Sequence, residues 1–324
     1  MIVQLKVAFP KRLKAIQIHS FGTVGELIPR DVAEPTLAAG YVRIRIEAAS
    51  VNPSDVKNFA GRMQQTTLPR ILGRDFAGTV IEGPALWLGK KVWGTGGARG
   101  FTSDGSFAQS MVVSANTLLE ILPGWTALQS AAVALPAWTA WESLKNLTSS
   151  WPGKTILIVG GAGAVGSSAA FLAERRGAQV WRTTRKLTSD SEKGWIDLST
   201  GPLPEQVLKA TGGLGVDFVF NTVGGETFQP SLACLKHQGK MVSIASAGTP
   251  QVTFNLIDFY HKELTLVGVD TLALSAEVAT QSLQEILPDL QAPEFPHFPV
   301  QTFPLEKTAD AFTYKGKAVL LPNG

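Results

Sequence analysis

Cysteine is nearly absent from this chain of 324 residues, Cys234 being the only one. No disulfide can form within the chain, and a zinc site built on cysteine thiolates loses its ligands. Cys234 itself reads as a small buried apolar residue. Histidine is scarce as well: His19, His237, His261 and His297 are scattered without the spacing that metal ligands show. No apolar run reaches the ~18 residues of a membrane span. The opening stretch, MIVQLKVAFPKRLKAIQIHSFG, lacks the apolar core of a secretory signal, so no membrane role and a cytoplasmic location are expected. The net charge of +3 is dispersed without a long basic run, and no nucleic-acid partner is expected. Apolar residues at 44% against 17% charged exclude a disordered chain, and the length accommodates two domains.

What is present is organised around one stretch. Thr155-Ile156-Leu157-Ile158-Val159 reads as a buried strand, and Gly160-Gly161-Ala162-Gly163-Ala164-Val165-Gly166 as a tight turn that opens a helix. Gly161, Gly163 and Gly166 satisfy G-x-G-x-x-G, and the helical segment runs from Ala164 to Arg176 with Gly177 as its C′ residue. Such a turn aims free N–H groups and the positive end of a helix dipole at one point, where a dinucleotide pyrophosphate fits.

The texture on either side differs. The first 130 or so residues hold short strands between Gly, Pro and Asp (Leu13–His19, Tyr41–Ser50, Phe76–Ile81, Lys91–Trp93, Phe107–Val113), which suggests an antiparallel barrel. Thr126–Ala134 and Trp138–Leu147 read as two helices interrupted at Pro136. From Thr155 onward apolar strands alternate with helices: Thr155–Val159, Gln179–Trp181, Trp195–Leu198, Asp217–Asn221, Lys240–Ala245 and Glu263–Val269. Six such strands predict a doubly wound parallel α/β sheet of Rossmann type. A helix at Ala276–Leu287 and strands at Val300–Pro304 and Lys317–Leu321 exceed that sheet and are assigned back to the barrel. The predicted organisation is a barrel domain of residues 1–134 and 276–324 with a nucleotide-binding domain, 135–275, inserted. Between Thr184 and Gly194 there is room only for an abbreviated crossover helix.

An NAD-preferring fold places Asp or Glu at the end of the second strand, about 20 residues past the glycines. Here that position reads Trp181-Arg182-Thr183-Thr184-Arg185-Lys186, and no carboxylate follows until Asp190. Hydroxyls and cations suit a 2′-phosphate that a carboxylate would repel, so NADPH is predicted, with Thr184, Arg185 and Lys186 around that phosphate and Thr183 among the cofactor-binding residues. The strand ends add Asn221 and Val223, Ser246 and Ala247, and Val269 to the candidate cofactor-binding residues, beside Gly161, Gly163, Ala164, Val165 and Gly166.

Several segments together resemble the zinc-independent medium-chain dehydrogenase/reductases, in particular the quinone oxidoreductase (zeta-crystallin-like) branch. They are Ala48–Asp55 (AASVNPSD), Gly73–Gly78 (GRDFAG), Gly105–Gln109 (GSFAQ), the glycine turn, and Gly212–Asp217 leading into Asn221–Gly225 (NTVGG). The resemblance implies a GroES-like barrel carrying catalysis, an inserted Rossmann domain with the active site in the cleft between them, and Thr139 facing the cofactor. It also implies a homodimer formed through the edge of the Rossmann sheet, for which Leu264–Val269 is the candidate strand. Zinc-dependent members carry a cysteine where this chain has Pro53 and a His-Glu pair where it has Arg74 and Asp75. Metal-assisted alcohol oxidation is therefore disfavoured. The Tyr-x-x-x-Lys pair of short-chain reductases is absent too, since Arg45, Leu264 and Ala318 stand four residues after the three tyrosines.

Without a Lewis acid, hydride is most readily accepted by a carbon that is already electron-poor, in a quinone or an α,β-unsaturated carbonyl. By resemblance Asn52, as hydrogen-bond donor, and Asp55, as a positioning group, lie beside the nicotinamide. The tyrosine that relatives carry a few residues on is missing, and Lys57, Arg62 or water stands in as proton donor. Trp93 and Trp138 are either aromatic walls of the pocket or core packing. The reading is an NADPH-dependent quinone or enone reductase. Its alternatives are an enoyl-thioester reductase and an NADPH-binding regulatory or structural protein of low turnover.

Overall fold

The computed structural model of the chain describes residues 11–185, 187, 193–245 and 247–324. The chain divides into two compact units. One comprises the residues up to Leu135 with Leu272–Gln281 and Phe298–Gly324; the other comprises Pro136–Thr271 and Ser282–His297.

The second unit is built on a six-stranded sheet in the order Trp195–Asp197, Gln179–Thr184, Thr155–Val159, Val216–Asn221, Leu235–Ser243, Thr265–Gly268, every neighbouring pair parallel. Thr155–Val159 and Val216–Asn221 lie at the centre and are buried almost throughout, which is why their sequences are continuous apolar runs. The order reverses between these two strands, and a doubly wound sheet binds its ligand at the carboxyl ends there. Cys234 is wholly buried in this core, and burial pushes its thiol up to about 12, so it serves as an apolar residue.

The first unit centres on Tyr41–Val51, an eleven-residue strand. Ser110–Ser114, Phe76–Glu82 and Lys317–Leu321 all pair with it antiparallel, and Val300–Pro304 adds to Lys317–Leu321 in parallel. Lys91–Gly94 and Leu119–Glu120 extend the same sheet, while Arg12–Ala15 with Arg30–Ala33 and Gln17–Ile18 with Arg70–Ile71 form two small ones. Its core holds Ile16, Ile44, Ile46, Phe76, Phe107 and Leu320.

Three expectations change. Pro136 does not divide two helices: Ala127–Lys145 is one helix with the proline inside. Thr126 and Gln129 cap its start reciprocally, backbone N–H to side chain in both directions. An internal proline costs ~3 kcal/mol. Burying Leu135 and Trp138 offsets this at ~1.5–3 kcal/mol for a large apolar side chain. Secondly, Ser282–His297 group with the second unit rather than with the barrel, because Leu283, Ile286, Leu290 and Phe295 are buried and Phe295 meets Phe171 edge-on at 5.3 Å. Asp289 also pairs with Arg175 and Arg176. Thirdly, the strand expected from Lys240 begins at Leu235, with a register shift opposite its polar stretch. The abbreviated crossover falls largely on 186 and 188–192, outside the described residues.

Candidate active site

In the second unit the glycine turn divides its labour. Gly160 sits at φ +83°, the left-handed region that glycine enters freely. A Cβ on Gly161 would stand 2.6 Å from Arg182 Cβ, and one on Gly166 would strike the Gly160 carbonyl oxygen. A Cβ on Gly163 would meet that oxygen alone, at a tight 3.3 Å, so apart from this one contact the glycine presents an open face. Helix Ala164–Arg175 starts from Gly163 with no side chain capping it, and its first N–H groups, those of Ala164, Val165 and Gly166, have no carbonyl one turn back to bond to. A pyrophosphate fits this cradle on both counts.

The remaining predicted cofactor residues separate into supports and rim. Thr183 is buried, and its hydroxyl accepts a hydrogen bond from the Gly160 N–H at 3.0 Å, so it holds the turn rather than a ribose. Asn221 is also turned inward: its amide oxygen accepts from the Val223 and Gly224 N–H groups at 2.9 and 2.8 Å, and its nitrogen donates to Thr227 and Ser231. It shapes the turn after the fourth strand. Ala247 N–H donates to the Val223 carbonyl at 2.8 Å, and Val269 N–H to the Ser243 carbonyl at 3.2 Å, tying neighbouring strand ends together. Thr139 lies buried in helix Ala127–Lys145. Thr184 ends the second strand and Arg185 follows it exposed, whereas Lys186 and Ser246 lie outside the described residues. The linear reading missed Asp197, which pairs with Thr184 across the sheet. Its carboxylate accepts from the Leu187 N–H at 2.9 Å and from Ser199, anchoring the basic loop.

In the first unit Asn52 begins a short helix, Pro53–Phe59, with proline at its first position, where its missing N–H costs nothing. Asp55 reaches back to accept the Asn52 N–H at 2.8 Å. The Asn52 amide nitrogen donates to Asp75 Oδ2 at 2.8 Å, and its oxygen accepts from the Lys317 ammonium at 2.8 Å. Thr95 donates to the other Asp75 oxygen, and Ser106 to the Asp75 carbonyl at 2.6 Å. Gly73, at φ +101°, leaves no room for a side chain against Ser106 and Phe107, which packs the GRDFAG and GSFAQ segments onto each other.

Asn52, Asp55, Arg74 and Asp75 are all buried. Burial raises the Asp55 carboxyl to about 7; the hydrogen bond from Asn52 opposes this, Asp75 adds to it, and Arg74 and Lys317 oppose it. Burial raises Asp75 as well, against the pull of Lys317, Thr95, Asn52 and Arg74. The Lys317 ammonium is pulled below the lysine range by the same desolvation, with Asp75 and Asp55 opposing. Arg99 is lowered to about 10 by burial, with Glu277 holding it up, and donates to the Thr95 carbonyl at 2.8 Å.

Of the three predicted catalytic residues, the structure brings Asn52 and Asp55 into one cluster. Lys57 lies half-buried on the same helix, and the ammonium that bonds Asn52 belongs to Lys317 instead. Both Asn52 donor positions face protein acceptors, Asp75 and more distantly the Ser50 carbonyl, so this amide positions its neighbours. Trp93 and Trp138 are core: each is fully buried, with its indole N–H on Glu120 and Glu142 respectively. A cavity of about 760 Å³ in the first unit is lined by Arg99, Tyr41, Met111 and Glu277 among others, but by none of the predicted site residues. Among the described residues no group of three His, Cys, Asp or Glu side chains is placed to hold a metal ion.

A parallel sheet with a dinucleotide cradle, joined to a GroES-like unit bearing a polar cluster, defines an oxidoreductase fold. Two family models match: an alcohol dehydrogenase GroES-like domain over residues 38–123 and a zinc-binding dehydrogenase domain over 164–287. A zinc-type alcohol dehydrogenase-like protein of Schizosaccharomyces pombe is 31% identical over 88% of this chain and 86% of its own. A quinone oxidoreductase-like protein 2 homolog of Nematostella vectensis is 29% identical over 76% of this chain and 70% of its own. An alcohol dehydrogenase superfamily protein from Novosphingobium aromaticivorans has a solved structure with TM-score 0.84 and 30% identity, covering 95% of this chain and 99% of that one. A quinone oxidoreductase of Pseudomonas syringae shares the fold, with TM-score 0.81 and 24% identity over 96% and 100% of the two chains. The chain belongs to the medium-chain dehydrogenase/reductase superfamily, which includes quinone oxidoreductase-like members.

Proposed function

We propose that the protein is an NADPH-dependent reductase of quinones or α,β-unsaturated carbonyls that works without zinc. The observation that carries this reading is the Asn52–Asp75–Lys317 cluster. Where zinc-dependent members have Cys and His-Glu, this chain has Pro53, Arg74 and Asp75, and the Asp75 carboxylate and Asn52 amide are engaged with each other, with Thr95 and with Lys317. A catalytic zinc needs about three N, S or O ligands around an open position, and this donor set does not fit one.

NADPH does fit: the open face of Gly163 and the uncapped helix start would hold its pyrophosphate, and Thr184, Arg185 and Lys186 its 2′-phosphate. Bound there, it supplies a hydride. The chain's own residues orient both partners, and with no Lewis acid the acceptor must bring its own electron-poor carbon. The oxygen of such an acceptor gains a proton on reduction. Asp55, which keeps its proton up to near neutrality, is a store for it within the site.

The test is NADPH oxidation with a panel of quinones, enones and enoyl thioesters, beside fluorescence titrations of NADPH and NADH. Turnover of a quinone or enone that persists after metal chelation, with NADPH bound more tightly than NADH, is the expected result. Dependence on zinc, or equal affinity for both cofactors, overturns it. Turnover confined to enoyl thioesters selects the thioester reductase, and tight NADPH binding with no turnover selects a binding protein.

A further inference from the structure

We propose that Lys317 is a positioning residue of this site, its ammonium fixing the amide of Asn52 and clamping the C-terminal strand onto the Asn52–Asp55 turn and Asp75. The proposal rests on the reading of this cluster as the acceptor-binding part of a reductase. Sheet register delivers the lysine: Leu320, Val319 and Ala318 pair antiparallel with Ala49, Ser50 and Val51, so the next pair along is Lys317 and Asn52.

Chemistry then fixes the orientation of the amide. With Lys317 Nζ donating to Asn52 Oδ1 at 2.8 Å, only the Asn52 nitrogen can face Asp75, to which it donates at 2.8 Å. A flipped amide would set NH₂ against an ammonium and a carbonyl against a carboxylate, losing two charge-assisted hydrogen bonds together. The Asn52 N–H in turn engages one oxygen of Asp55, whose other oxygen is buried with no hydrogen-bond partner among the described residues. An uncompensated buried carboxylate oxygen is costly, so Asp55 depends on nearby positive charge to ionise. The charged groups acting on Asp55 are Asp75 and Arg74, which precede strand Phe76–Glu82, and Lys317. Asp75 is acted on by Lys317 and Arg74, and Arg99 lies within electrostatic range of it. Lys317 opposes the rise of both carboxyls, so removing its charge moves both further up.

The experiment uses the full chain with Lys317→Met and Lys317→Arg, and reads the Asp55 carboxyl by carbon-13 NMR across pH. Wild type is expected to titrate near pH 7. Lys317→Met should shift that midpoint up by about one pH unit, roughly tenfold in proton affinity, and Lys317→Arg should largely restore it. With a turned-over acceptor, kcat of Lys317→Met should fall about tenfold and its pH profile move the same way, while the Kd for NADPH, which rests on residues of the second unit, stays within about twofold. An unmoved Asp55 midpoint in a folded Lys317→Met, or kcat and profile equal to wild type, overturns the proposal. If neither variant folds, the nitrogen-15 titration of Lys317 Nζ in wild type decides: loss of its proton in the ordinary lysine range overturns the proposal. The NMR readings need no turnover, so failure of every acceptor would sink the reductase reading while leaving this proposal to its own outcome.

Discussion

Gly163 and Gly166 stand three residues apart and answer to different constraints. Gly163→Asp should still fold, because its Cβ meets a single atom, the Gly160 carbonyl oxygen at 3.3 Å, yet lose NADPH binding in a fluorescence titration, because a carboxylate would occupy the pyrophosphate cradle. Gly166→Ala should lower the melting temperature, because its Cβ strikes the Gly160 carbonyl. Asp55 makes a prediction about pH. Its folded-state pKa lies above the unfolded value, so between the usual carboxylate range and about pH 7 the folded state binds more protons than the unfolded one, and stability falls as pH rises. Asp55→Asn should reduce that fall to the share that Asp75 contributes; parallel denaturant titrations at pH 5 and 8 that show the same loss in both proteins would refute the assignment. At this scale the sequence was partly readable. The glycine pattern declares its own chemistry, and the AASVNPSD segment pointed to Asn52 and Asp55. Lys317 was out of reach, since its contact with Asn52 spans 265 positions and exists only through sheet register.

We propose that the end of the second strand selects the cofactor as an element. Thr184 closes the strand, Arg185 follows it exposed with Lys186 next in sequence, and Asp197 on the neighbouring strand engages its carboxylate with the Leu187 N–H and Ser199. Arg185→Ala combined with Lys186→Ala should weaken NADPH about tenfold or more and leave NADH nearly unchanged, as measured by paired titrations. Strands at the sheet centre were legible because burial on both faces leaves a continuous apolar run, as in Thr155–Val159. Leu235–Ser243 was legible only in its second half, since Lys236, His237 and Gln238 break the apolar pattern and Gln238 sits at φ +58°. Helix Ala127–Lys145 was misread for a physical reason: a proline's local penalty is visible in sequence, whereas the burial that overrides it is not.

At the scale of the whole molecule, Thr265–Gly268 ends the parallel sheet with one edge unpaired among the described residues, and Leu256, Ile257 and Tyr260 nearby in sequence are more than half exposed. We propose that a second copy of the chain covers this edge, giving the homodimer that the family resemblance implies. Val267→Lys together with Ile257→Glu should yield a monomer by light scattering with NADPH binding retained; an unchanged mass would refute this interface. No helix among the described residues is long and apolar enough to cross a membrane. The two-unit plan was readable from the change of strand texture, but the return of Ser282–His297 to the nucleotide unit was not, because Phe295 and Leu290 declare their partners only in three dimensions. The pairing of Lys317–Leu321 with Tyr41–Val51 has a consequence for synthesis. As the ribosome extrudes the chain, the long central strand of the first unit waits, one edge open, for a strand some 265 positions further on, while the central pair of the parallel sheet, Thr155–Val159 and Val216–Asn221, is completed earlier. The nucleotide-binding unit is thus positioned to fold first, and the barrel to close last.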